Sequence, residues 1–152
     1  MTGDQIYLLR KSFKTVEQHK HVAALVFYRR LFELDPKLRW LFTTNIEEQS
    51  RKLIDMLGLA LSLSERAEEL QMELRDLGAR HATYGVREEY YETVGRAMLD
   101  MLAHVLGEQF TVATRQAWTE FYGFMAETMK AGAAVASEIG DRRQLSGKQS
   151  RT

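Results

Sequence analysis

Residues 74–86 read LRDLGARHATYGV, and the stripe they close begins one turn earlier, at Leu70. Leu70, Leu74, Leu77 and His81 recur at spacings of four, three and four, which on an α-helix puts all four on one face. Three leucines on a face predict burial. The last member is an imidazole, able to donate, accept, titrate or bind a metal. Gly78, between Leu77 and His81 on the same helix, leaves room for another body to approach closely. Two readings of His81 follow from the residues: a histidine at the edge of the core, hydrogen-bonded to backbone, or a ligand to a metal or cofactor.

The same three-and-four spacing runs through the rest of the chain, while strand-type alternation is hard to find. The sequence therefore predicts an all-α protein. Helices are expected at 4–18, 21–34, 46–62, 65–82, 88–106 and 111–132, with a short turn at 36–41 opened by Asp35 and Pro36, the one proline. Asn45 with Glu48 has the form of a capping box, and Ser64 and Thr111 stand where N-caps are expected. Gly85 and Gly107 follow helix ends. From residue 134 the apolar period fades into a Ser-, Gly- and Arg-containing stretch. A domain over 1–133 and a flexible tail over 134–152 are expected.

At 152 residues the chain suits one domain with a core of its own. Lysine plus arginine balance aspartate plus glutamate at 21 each, so no basic excess points to nucleic acid or an anionic membrane surface. Cysteine is absent, which removes disulfides, thiolate nucleophiles and Cys-based metal sites and is compatible with a reducing, cytoplasmic setting. The start of the chain lacks a long apolar stretch of the secretory kind, and clusters such as LGLALSL (57–63) are too short to span a bilayer. Walker A, GxGxxG, HExxH and GxSxG motifs do not occur.

Of the other histidines, His19 and His21 lie in a polar helix junction and read as surface residues, and His104 reads as a flank or partly buried position. Two more polar side chains sit beside apolar faces. Tyr28 shares its side of a helix with Ala24, Leu25 and Leu31, and Gln49 lies between Ile46 and Leu53 at helical spacing. Each alone reads as a side chain whose polar end reaches water. Taken with His81 they describe an imidazole on one side and two hydrogen-bond donors on the other, with Phe27, Phe42, Tyr91 and Phe121 as aromatic lining. Such a pocket suits a flat apolar cofactor whose metal binds a small polar ligand. Trp118, Phe121 and Met125 read as core.

These residues resemble the globin family, and bacterial single-domain globins in particular, over about residues 5 to 132. The stretches QSRKLIDMLG (49–58) and LRDLGARHATYGV carry that likeness. LFELDPKLRWLF (31–42) and FTVATRQAWTEFYGFMAETM (110–129) are similar to neuroglobins. The resemblance implies a 3-on-3 helical sandwich enclosing a b-type haem, with no separate D helix. His81 takes the place of the proximal iron ligand, Phe42 that of the haem-packing phenylalanine, Gln49 and Leu53 distal positions, Tyr28 the position facing bound ligand, and Lys52 a propionate partner. Leu77, Val86, Tyr91 and Phe27 complete the expected haem contacts. Gln49 stands where neuroglobins have a histidine, so a second axial histidine is not expected. The pairing of Tyr28 with Gln49 looks like flavohaemoglobin-type globins, in which a tyrosine and a glutamate stand behind the proximal histidine. Tyr91 matches that tyrosine, and Ala133 stands at the glutamate's place.

The resemblance implies reversible binding of O2, and of NO or CO. A bound diatomic that gathers negative charge gains about 1.5–3 kcal/mol from each donor, roughly tenfold or more in release rate. The alternative is NO dioxygenation, which is expected to depend on an external reductase. A haem-free helical interaction module is a third reading, opposed by the joint presence of His81, Tyr28 and Gln49. The sequence gives no oligomeric state.

Overall fold

The computed structural model describes residues 1–42 and 45–149, with backbone alone at residues 47, 50 and 140–149. Among the described residues six α-helices follow one another: α1 (Gly3–Gln18), α2 (Lys20–Leu34), α3 (Ile46–Ser62), α4 (Ala67–Thr83), α5 (Tyr90–Leu106) and α6 (Val112–Gln149). A 3-10 turn, Pro36–Leu41, joins α2 to α3, and another, Gly107–Gln109, precedes α6. Four residues separate Leu41 from Ile46, and the expectation of no separate helix between them falls on residues 43 and 44, which lie outside the described residues.

The helices stack in two layers. α2, α5 and α6 form one and α1, α3 and α4 the other, with α4 lying on α6, α2 on both α3 and α5, and α1 on α6. Between the layers Leu9, Val16, Leu31, Ala97, Met101, Ala117 and Phe121 are fully buried. Trp118 is 1 % exposed, packs edge-on against Phe121 at 6.2 Å, and donates its indole N–H to Ser12 Oγ at 2.8 Å. The Ser12 hydroxyl passes its own proton to the Leu8 carbonyl at 2.7 Å, so this buried polar pair is satisfied across α6 and α1.

The helix ends differ in detail from the sequence expectations. Thr2 and Gln5 form the capping box that opens α1. Thr111 caps α6 through its hydroxyl on the Thr114 N–H at 3.2 Å, as expected. Ser64 caps nothing: the next helix begins at Ala67 after Arg66, and the Ser64 hydroxyl accepts from Arg10 instead. The helix expected to end near 132 runs on to Gln149. Loss of an apolar stripe ends burial, but it need not end a helix. The stretch 131–136 holds four alanines and no proline; alanine is the strongest helix former and outweighs the single Gly132. His104 is exposed, as are His19 and His21.

Candidate functional site

α4 ends in a way that holds its last turn rigidly. After Thr83 and the cap residue Tyr84 comes Gly85 at φ +91°, a left-handed conformation that side chains resist. Its N–H bonds the Ala82 carbonyl at 3.1 Å, and the next N–H, of Val86, bonds the His81 carbonyl at 3.1 Å. These are the two bonds of a Schellman ending. The spacing of five between His81 and Val86 is thus built into the helix terminus, which returns Val86 toward the turn that bears the histidine.

The His81 ring is half-buried, and its Nδ1 stands 2.8 Å from the Leu77 carbonyl oxygen. A carbonyl only accepts, so Nδ1 carries the proton and Nε2 presents a lone pair. Nε2 has no hydrogen-bond partner among the described residues. Burial pushes the imidazolium down from the ordinary histidine value of 6.5, and the neighbouring charge of Arg80 acts in the same direction against the Leu77 bond. The ring is thereby kept neutral. Proton competition for Nε2 should accordingly appear only as pH falls below about 6.5. The expected outcome is a ring that stays neutral above that pH and takes up a proton only beneath it, checked by NMR titration of the His81 ring.

α3 and α4 barely pack on each other, although both pack elsewhere. Between them runs a seam holding a cavity of about 60 Å³, lined by Met56, Leu59, Ala60, Leu63, Leu70, Leu74 and Leu77 together with the charged Glu73 and Arg80. Leu53, Met56, Leu77 and Val86 are only half-buried, unlike the closed core behind them. A flat apolar group inserting here has to part α3 from α4, and their sparse mutual packing makes that inexpensive. A lone imidazole on an apolar wall suits a metal that arrives with its other ligands, which is the donor set haem needs. The residues present therefore fit the group.

Across α3 lies an aromatic cluster. Tyr28, 5 % exposed, has the Phe27 ring edge-on at 5.0 Å, Phe42 edge-on at 5.2 Å and Phe32 at 6.0 Å. Tyr28 and Phe42, both assigned to the pocket from the sequence, are in contact. Burial pushes the Tyr28 phenol up to about 12, so at neutral pH it is a protonated donor. Gln49 is half-buried at the start of α3, where its N–H bonds the Asn45 carbonyl at 3.2 Å. Lys52 is exposed one turn on, at the rim. A larger cleft of about 460 Å³ is lined by Leu25, Tyr28, Arg29, Phe32, Glu33 and Arg39, with no residue of α4 in its lining.

The remaining residues that the sequence assigned to the pocket lie as follows. Phe27 and Tyr91 are already buried in the core. Phe121 leaves no surface open to the seam and belongs with Trp118. Tyr91 accepts the Tyr122 hydroxyl proton at its backbone carbonyl, and its ring lies 5.9 Å from Lys130 Nζ. α4 and α6 run antiparallel with Arg75 over Gly132. Ala133 is therefore level with Arg75, about 9 Å along the helix axis from His81, and not behind it as the sequence match implied. Sequence reading passed over Met56, although its place three residues after Leu53 put it on the same face.

The sequence pattern of the globin family matches residues 25–129, and the chain belongs to the globin family. It is 32% identical to the neuroglobin of Dissostichus mawsoni over 86% of this chain and 91% of that protein. The neuroglobin of Danio rerio is 30% identical with the same coverage. Among solved structures, an engineered carbene transferase from Rhodothermus marinus, named as a candidate nitric oxide dioxygenase, superposes with a TM-score of 0.81. It is 28% identical over 91% of this chain and 97% of that one. A bacterial globin from Campylobacter jejuni, 24% identical over 92% and 99% of the two chains, superposes with a TM-score of 0.74 and shares the fold. The family makes this a haem-binding protein for small diatomic ligands. Among the described residues no helix is long and apolar enough to cross a membrane.

Proposed function

We propose that this globin binds O2 reversibly on a b-type haem held by His81, with Tyr28 and Gln49 as the donors that retain the ligand. The observation that carries the reading is the Nδ1 bond to the Leu77 carbonyl at 2.8 Å, which leaves Nε2 as the coordinating atom. When bound, haem would supply an iron able to take O2, CO or NO, and His81 would be the residue that holds it. The chain's part is to fix the imidazole tautomer, to wall the seam with Leu53, Met56, Leu77 and Val86, and to offer Lys52 at the rim to a carboxylate. Tyr28 remains an O–H donor because burial pushes its pKa to about 12. Within the family we place the chain with the bacterial single-domain globins, Hell's Gate globin among them, and in a cytoplasmic setting.

Removing one donor should cost about 1.5–3 kcal/mol of ligand retention. Tyr28→Phe and Gln49→Leu are each expected to speed O2 release about tenfold or more, while CO release changes less because bound CO is less polar. Stopped-flow off-rates check this, and rates equal to those of the unmodified chain would remove the distal assignment.

The likeness to the Rhodothermus marinus protein favours a second reading, NO dioxygenation supported by an external reductase. Repeated NO consumption with a reductase present, against a single turnover, separates it from simple binding.

A further inference from the structure

α4 and α6 cross with no side chain between their backbones. A Cβ on Gly78 would lie 1.9 Å from the Met129 carbonyl oxygen, and one on Gly132 would lie 2.1 Å from that of Arg75. The contact is reciprocal, each glycine receiving the backbone of the other helix. A rotamer change adapts a side-chain contact, but nothing adapts this one except movement of a whole helix.

His81 follows Gly78 by three residues, on the next turn of the same face. The carbonyl that holds its ring belongs to Leu77, the residue immediately before Gly78. On the other side the Schellman ending at Gly85 stops the last turn from unwinding. The crossing, the imidazole and its acceptor therefore move together. We propose that Gly78 and Gly132 are positioning residues: their crossing sets how closely α4 seats on α6 and thereby the height of His81 Nε2 at the seam. This rests on the reading of His81 as the haem ligand. Bringing a Gly78 Cβ from 1.9 Å to the 3.0 Å that real Cβ atoms keep demands about 1 Å of helix displacement. That is large beside a metal–imidazole bond of about 2.0–2.1 Å.

The test uses the haem-loaded full chain. Gly78→Ala is expected to shift the iron–histidine stretching band in the resonance Raman spectrum and to change O2 and CO affinities together, by at least about fivefold. Tyr28→Phe, acting on the other side, should separate O2 from CO instead. On a His81→Gly background with free imidazole supplied, Gly78→Ala should leave the band where His81→Gly alone puts it, because the imidazole is no longer attached to α4. Ser12→Ala, which disturbs the core far from α4, should leave the band unmoved. An unmoved band in Gly78→Ala, or an equal shift with free imidazole, overturns the proposal. Gly132→Ala obstructs the same crossing from α6 and must reproduce the shift; it decides the matter if Gly78→Ala does not fold. If neither variant folds, amide exchange on the unmodified protein decides: exchange at 75–81 as slow as in α5 supports the crossing as an anchor, and fast exchange overturns it. Failure of the ligand reading is distinguishable, since the unmodified chain would then show no iron–histidine band at all.

Discussion

His81→Gly is expected to abolish tight haem retention. The helix should survive, because the ring is half-buried at the edge of the core and its one hydrogen bond is to a carbonyl within α4. The loss should fall on the cofactor. Removing a group that merely orients a metal ligand costs about 10–100-fold in metal affinity, and removing the ligand itself must cost more. Haem transfer to an excess of a competing haem protein measures this, and millimolar-range imidazole should restore the absorption band. A His81→Gly chain that holds haem as tightly as the unmodified protein, with the same spectrum, would mean another axial ligand.

The second large effect concerns the fold. Trp118→Ala is expected to destabilise the protein by about 3–5 kcal/mol, a substantial part of the roughly 5–15 kcal/mol that domains possess. The indole is 1 % exposed, and its neighbours Phe121 and Met125 are as well buried, so the space left cannot be filled cheaply. Trp118→Phe separates packing from polarity. It keeps an aromatic ring against Phe121 but strips Ser12 of its donor, at about 1–3 kcal/mol. Denaturant unfolding of the three proteins gives the order unmodified, Trp118→Phe, Trp118→Ala. Equal midpoints for the first and last would contradict the placement of this residue at the centre of the core.

What could be read in the sequence is what repeats along it. The 3.6-residue period gave the helices, and the leucine stripe gave the buried face of α4, because both are local consequences of one helix lying against something apolar. The bond from His81 Nδ1 to a carbonyl four residues back is equally local. Legibility ended where the partner lies far along the chain. Gly78 announced a close approach, yet only the fold shows that Met129 and Gly132 of α6 are what approaches. Ser64 looked like a cap until Arg10 claimed its hydroxyl from α1. Ala133 was matched by counting along α6, whereas the antiparallel register with α4 places it by Arg75. The extension of α6 to Gln149 left no signal because periodicity reports burial, and a helix can run on where no apolar stripe marks it.

The absorption spectrum of the reduced, haem-loaded protein before and after adding O2 tests most directly whether the iron held by His81 keeps a position open for ligand. The account predicts a five-coordinate ferrous spectrum that converts to a stable O2-bound one and reverts when O2 is withdrawn. A ferrous spectrum already six-coordinate without added ligand, or no Soret band after haem addition, would contradict it.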